Sequence, residues 1–249
     1  MVVPLHRPRD LRNVFLNFSR QDYPDRRLVI VENGAAVGEC RRTGLIPDML
    51  LSASSGPAEA LNVALYELRK RDPSGWFFKV DADDYYGPRY LSEAMAVPAE
   101  ANATGKGGFW LRTVVGRLWR FGFPESQWAS PEAIPQGPTL AARVADCLPF
   151  NDVRPWGEDI DWVARMLGSG ARIWLTSRNG FCQLRSPTGH TWVATDEAIR
   201  CLALETPCWD AGPWSAAVVD GAPPSRLVAV PGRALGLRER PAYLAAQSV

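Results

Sequence analysis

Trp76-Phe77-Phe78-Lys79-Val80-Asp81-Ala82-Asp83-Asp84 is the stretch on which the fold of this chain turns. A run dominated by aromatic and β-branched residues gives way at Asp81 to three carboxylates in four positions. A short apolar run of this kind reads as a strand, and acids packed this closely at its end belong to a loop. Neighbouring carboxylates repel one another unless a cation neutralises them. Hard oxygen donors on a short loop suit Mg2+ or Mn2+, with the remaining coordination open to water and phosphate oxygens. A solvated acidic turn has the same composition.

Upstream of this stretch, strand and helix patterns alternate. Met1 to Leu5 reads as a strand. Pro8 opens a helical pattern with Leu11, Val14, Phe15 and Phe18 on one face, ended by Asp22-Tyr23-Pro24-Asp25. Leu28-Val29-Ile30-Val31 is a continuous run of the type covered on both faces, and Glu32-Asn33-Gly34 forms its turn. Ser54-Ser55-Gly56-Pro57 starts a second helix with Leu61, Ala64, Leu65 and Leu68 as its stripe, and Asp72-Pro73-Ser74-Gly75 stops it. A short helix over 88–96 follows the acidic loop. This order predicts an α/β fold with a mostly parallel sheet and right-handed crossovers. Ligands of such sheets bind beyond the carboxyl ends of the strands. Three polar groups stand there: His6 and Arg7, then Glu32 and Asn33, then Asp81, Asp83 and Asp84.

Downstream, 107–123 reads as one or two strands and 126–137 as a proline-containing loop. A helix begins near Pro155-Trp156-Gly157, with Glu158 and Asp159 in its first turn and Ile160, Val163 and Leu167 facing inward; Gly168 and Gly170 end it, and 171–175 is a strand. Acids in a first turn are favoured by the helix dipole alone, and are also candidates for chemistry. His190, in a segment flanked by Pro and Gly, is either a nitrogen ligand or a solvated side chain. Trp110, Trp119, Trp128 and Trp156 suit a sugar-binding groove or a core equally. The chain divides into a domain over 1–195 and an extension over 196–249, rich in Ala, Pro and Gly, that packs on the domain or is partly disordered.

Composition narrows the function. The 249 residues are 46% hydrophobic and 22% charged, and 28 basic against 27 acidic residues leave a formal charge of +1. Nothing in that balance favours nucleic acid or an anionic membrane as partner. No apolar run approaches the ~18 residues of a membrane span, and the start lacks the apolar stretch of a secretion signal. Five cysteines with no CxxC pair point to a reducing cytoplasm.

Taken in order, the motifs resemble those of family 2 glycosyltransferases, inverting nucleotide-sugar enzymes of the GT-A fold. Pro4-Leu5-His6-Arg7-Pro8 and Gln21-Asp22-Tyr23-Pro24 are similar to the family's opening, Val31-Glu32-Asn33-Gly34 to its second strand end, and Gly56 to Asn62 to its Gly-x-x-x-Ala-Arg-Asn helix. Asp81-Ala82-Asp83-Asp84 matches the family's Asp-x-Asp-Asp. Gly157-Glu158-Asp159, followed by Asp161, Arg165 and Gly170, matches its later Gly-Glu-Asp pattern. The likeness runs over residues 1–192.

The resemblance implies a metal at Asp83, with Asp81 or Asp84 on metal or ribose and His190 as a late metal or diphosphate contact. It implies a nucleotide-sugar site drawn from Pro4, His6, Arg7, Glu32, Asn33, Asn62, Asp81 and Ala82. It makes Asp159 the general base and Glu158 the fallback. The cofactor is then Mn2+ or Mg2+ and the donor a nucleoside-diphosphate sugar, with a UDP-sugar favoured. The acceptor is a saccharide, protein, lipid or small molecule. Asn33 stands where the family has an acid and Leu61 where it has Arg. Those departures motivate a second expectation, a degenerate GT-A domain that binds glycan or nucleotide, or scaffolds a complex, without catalysis. A metal-dependent nucleotidyltransferase is a third, against which the lack of GxGxxG or GxxxxGK counts.

Overall fold

The computed structural model describes residues 1–113, 118–122, 126–152 and 157–185, with the backbone of two short strands at 206–208 and 228–230. Three parallel strands, β1 (Val2–Leu5), β2 (Val29–Glu32) and β3 (Met49–Ser52), pair in that order. A parallel bridge between Val2 and Lys79 joins β1 to β4 (Trp76–Phe78), and Val80 N–H donates to Val2 O at 3.0 Å. Beyond β4 the sheet continues through β10 (Ala141–Arg143), β6 (Ala103–Lys106), β11 (Ile173–Thr176) and β9 (Gln127–Trp128). Within it β10 and β9 run antiparallel to their neighbours. The expected α/β architecture is therefore present, a mostly parallel central sheet flanked by helices.

Alternating residues explain why the sheet is buried on both faces. Val3, Leu5 and Ile30 join one core with α1 (Leu11–Ser19) and α4 (Tyr90–Met95). Val2, Val29 and Val31 join the other with α3 (Pro57–Arg71) and α5 (Glu158–Gly168). Each β-branched side chain buried this way contributes about 1.5–3 kcal/mol. Phe78 lies in the first core and Phe77 in the second, so Lys79, two residues on from Phe77, belongs to the α3 and α5 face.

A second sheet stands on the first. Its order is β5 (Tyr85–Tyr86), β12 (Phe181–Leu184), β7 (Gly108–Arg112) and β8 (Leu118–Gly122). The chain passes into it from β6 at Gly107, where a Cβ would stand 3.1 Å from Leu175 Cβ. The parallel pairing of β6 with β11 is resumed by β7 with β12.

Several elements differ from the sequence reading. The stretch between the second strand and the second helix contains α2 (Glu39–Thr43) and β3, and β6, β10 and β12 are further additions. The inward residues of α5 are Trp162, Val163 and Met166, with Ile160 and Leu167 only half-buried, because the helix packs its Trp162 ring flat on Phe150 at 5.5 Å. Trp110 and Trp119 are buried in apolar clusters, and Trp128 packs edge-on against Trp174 at 4.9 Å. Trp156 and His190 lie outside the described residues. So does the extension from 196 onward, apart from β13 (Thr206–Cys208) and β14 (Val228–Val230), which pair antiparallel.

Candidate active site

The acidic loop leaves β4 at the carboxyl end of the sheet, and α1 holds its backbone. Asn13 Nδ2 donates to the carbonyls of Ala82 and Asp84, each at 2.8 Å, and Asn17 Nδ2 donates to Asp84 O at 2.8 Å. Asn17 Oδ1 accepts from Tyr86 N–H, and Gln21 reaches Gly87 O and the Leu91 N–H. Asn13 and Asn17 lie four residues apart on one face of α1, and Gln21 follows just past its end. Burying an amide side chain is favourable only when its donors and acceptors are met, and here they fix the loop. The loop's other support is Tyr86, whose hydroxyl accepts from Asp81 N–H at 2.8 Å and donates to Pro138 O at 2.7 Å.

The three carboxylates then diverge in character. Each offers an oxygen, and these oxygens lie within 4.8 Å of one another. Asp81 and Asp83 keep 36% and 26% of their side-chain surface, whereas Asp84 keeps 1%. Asp84 Oδ1 accepts from Leu184 N–H at 3.0 Å with Arg185 at 3.6 Å, so its side chain is part of the frame. Burial drives its pKa well above the ordinary value; Arg185 opposes that shift, and Asp83 and Asp81 add to it. Arg7 Nη1 pairs with Asp83 Oδ2 at 3.2 Å. The donor set left at the surface, Asp81 and Asp83, is all hard oxygen, which fits a divalent cation.

Asp159 comes to the same place from the far end of the domain. It lies in the first turn of α5, and Lys79, only 4% exposed, stands between it and the acidic loop. Lys79 Nζ is 3.0 Å from Asp159 Oδ1, 3.2 Å from Asp81 Oδ1 and 3.3 Å from Gly137 O. Burial works against the lysine's charge, but Asp159, Asp81 and Glu158 outweigh it and hold its pKa above the ordinary lysine value. Burial likewise pushes the Asp159 carboxyl up to about 6. Lys79 opposes that rise, while Glu158 and Asp81 add to it. Glu158 is half-buried beside it.

The remaining predicted residues are spread along the strand ends. His6 is exposed and its ring lies over Gly34, where a Cβ would be 2.6 Å away; Gly34 also has φ +55°, so both space and backbone call for glycine. Pro4 pairs with Val31 in the sheet and is half-buried. Asn33 is buried, with Nδ2 donating to Ser55 O at 3.1 Å and Oδ1 without a hydrogen-bond partner. Glu32 turns inward, its carboxylate accepting from the N–H groups of Gly38 and Cys40, each at 2.7 Å. Asn62 is occupied at both ends: Nδ2 donates to Phe150 O and Oδ1 accepts from Phe150 N–H, each at 2.8 Å. The polar atoms of Glu32 and Asn62 are thus committed to backbone. A cavity of about 440 Å3 lined by Ser55, Gly56, Asn62, Tyr66 and Phe150 opens beside them, and neither the acidic loop nor Asp159 lines it.

Sequence reasoning passed over Lys79, Asn13 and Asn17, and took Gln21 only as part of a motif. Lys79 was visible as the one charge inside an otherwise apolar strand run. The amides were visible as polar residues repeating every four positions beside an apolar stripe.

No family model matches the chain, and no curated protein matches it by sequence. Solved structures do match in fold. TarS 1–349 from S. aureus in complex with UDP superposes with TM-score 0.55 at 19% identity, over 75% of this chain and 60% of that one. The same protein with UDP-GlcNAc gives 0.54 at 18%, over 80% and 63%. The mannosyltransferase PcManGT from Pyrobaculum calidifontis, in complex with GDP-Man and Mn2+, gives 0.50 at 18%, over 74% and 55%. The chain spans about three fifths of the length of these structures. Its fold is the GT-A fold that the motif order implied.

Proposed function

We propose that the chain is an inverting, metal-dependent glycosyltransferase that moves a sugar from a UDP-sugar to an acceptor hydroxyl. One observation carries the reading: the acidic loop after β4 and the first turn of α5 meet across a single ammonium, that of Lys79, 80 residues from Asp159, at the carboxyl edge of a GT-A sheet. Asp83 and Asp81 are the residues that would hold Mn2+ or Mg2+, whose positive charge stabilises the departing diphosphate. Arg7, 3.2 Å from Asp83, adds cationic charge to the same edge.

Asp159 takes the proton of the acceptor hydroxyl as its oxygen bonds to the anomeric carbon. The bond from that carbon to the diphosphate oxygen breaks on the opposite face, so configuration inverts. A carboxylate with a pKa near 6 is ionised at neutral pH and a stronger base than an exposed one. Glu158 is the neighbouring alternative. Pro4, His6, Asn33 and Ala82 border the nucleotide in this reading. Because Ser55 occupies the Asn33 amide, Oδ1 remains as an acceptor that a ring N–H such as uracil N3–H satisfies. TarS was solved with UDP and with UDP-GlcNAc, which supports the same base.

The acceptor is a saccharide, protein, lipid or small molecule, and residues 1–195 form the transferase domain to which 196–249 is an extension. Among the described residues no helix is long and apolar enough to cross a membrane. Buried free thiols at Cys40, Cys147 and Cys182 fit a reducing cytoplasm.

The test is a thermal shift. UDP at about 100 times Kd with Mn2+ stabilises by about 2.7 kcal/mol, which raises the Tm by about 5–10 °C in a domain of this size. Asp83→Ala should abolish the Mn2+-dependent part. An unchanged Tm across UDP, GDP, CMP and dTDP sugars, with and without Mn2+, overturns the reading.

A further inference from the structure

Lys79 is an expensive residue at its position. It continues β4, it is 4% exposed, and an aliphatic side chain there would avoid desolvating an ammonium. All three of its donors are used, and the acceptors come from three separate segments: Asp81 in the loop after β4, the Gly137 carbonyl in the turn before β10, and Asp159 in α5. Among the described residues it is the one side-chain donor to the Asp159 carboxylate. The oxygen that accepts this bond, Oδ2, also rests on Gly137, where a Cβ would collide with it. Asp159 is therefore held by one cation against one bare backbone, with no second side-chain hydrogen bond among the described residues to set its rotamer.

Resting on the reading of Asp159 as base, we propose that Lys79 is a positioning residue for the transfer reaction. Its ammonium sets the direction of the Asp159 carboxylate and ties it through Asp81 to the acidic loop, so base and donor site keep one separation before a ligand arrives. Lys79 itself touches neither donor nor acceptor. A displacement of about 1 Å at a reacting group costs on the order of 100-fold in rate. Removing the tie should therefore appear in kcat and leave donor affinity alone.

The experiment uses the full chain, UDP-GlcNAc as donor and release of UDP to simple alcohols and saccharides as the assay. Wild type, Lys79→Met, Asp159→Asn and the double variant are compared, with UDP–Mn2+ affinity measured by calorimetry. Lys79→Met should lower kcat about 100-fold with KM for UDP-GlcNAc within about threefold. In the Asp159→Asn background the same substitution should cost less than about threefold, because residues acting as one unit are not additive. A Lys79→Met enzyme with kcat within about threefold of wild type, or an equal loss in both backgrounds, overturns the proposal while Asp159→Asn still reports on the base. If wild type neither binds UDP–Mn2+ nor releases UDP, the transferase reading falls and takes this role with it. If Lys79→Met does not fold, Lys79→Gln, which keeps a donor but no charge, is judged by the same two comparisons.

Discussion

Gly137 lies so close to the Asp159 carboxylate that no side chain fits between them: a Cβ built on Gly137 would collide with Asp159 Oδ2. The backbone of Gly137 is not in the left-handed region, so the requirement is one of space. Gly137→Ala should push the carboxylate off its contact with Lys79. The expected outcome is a kcat for sugar transfer lower by about 10–100-fold with UDP affinity retained, and a loss of about 1–3 kcal/mol in urea unfolding from the overpacked contact.

The pH dependence follows from the same carboxylate. Burial, with help from Glu158 and Asp81 and against Lys79, pushes the Asp159 carboxyl up to about 6. A base in that state is protonated at lower pH, so kcat should climb with unit slope and reach half its plateau near pH 6. Asp159→Asn should abolish that limb and lower kcat by about 100–10,000-fold. The stability effect has a definite sign. The folded pKa lies above the ordinary 3.8, so this group's contribution is fully present below about pH 4 and is lost as pH rises through about 6. The unfolding free energy of Asp159→Asn, measured against wild type, should therefore improve between pH 4 and 7.

Asn17 offers a test of the amide row on α1. It is fully buried, and its two ends meet Asp84 O and Tyr86 N–H. Asn17→Leu keeps the branched shape but takes the acceptor from Tyr86 N–H and leaves Asp84 O with Asn13 alone, at a cost of about 1–3 kcal/mol. Differential scanning calorimetry should show a Tm lower by about 2–12 °C. At a temperature where the variant is folded, its affinity for Mn2+ with UDP should also fall, because the loop bearing Asp81 and Asp83 has lost its anchor.

Asn62 separates holding a loop from holding a ligand. Its amide clasps both backbone groups of Phe150. Asn62→Ala should destabilise the chain by about 1–3 kcal/mol, yet change the UDP Kd by less than about threefold, under half the free energy of a tenfold effect. A large loss of UDP affinity at unchanged stability would instead place Asn62 in the nucleotide site.

Much of the fold was legible because its signals are local. Leu28 to Val31 announces a strand covered on both faces, Pro57 to Arg71 carries its stripe, and the jump from Val80 to Asp81 marks a strand end. What escaped was set by distant partners. Ala103–Lys106 and Ala141–Arg143 are strands because β4 and β11 flank them, and neither run shows the alternation that would reveal it. The site divides in the same way. Asp81, Asp83 and Asp159 stand out by type and spacing, whereas the inward turn of Glu32 and the clasp of Asn62 depend on Cys40 and Phe150, which no short pattern connects to them.

The bond from Leu184 N–H to Asp84 Oδ1 spans 100 residues and has a consequence for synthesis. Asp84 is buried by material that leaves the ribosome long after the acidic loop does, and Tyr86 waits on Phe181 across β5 and β12 in the same way. A nascent chain stalled before residue 185 carries the aspartates without their frame. For the metal-dependent transferase proposed above, competence to capture a cation is thus a late acquisition, gained when the second sheet closes.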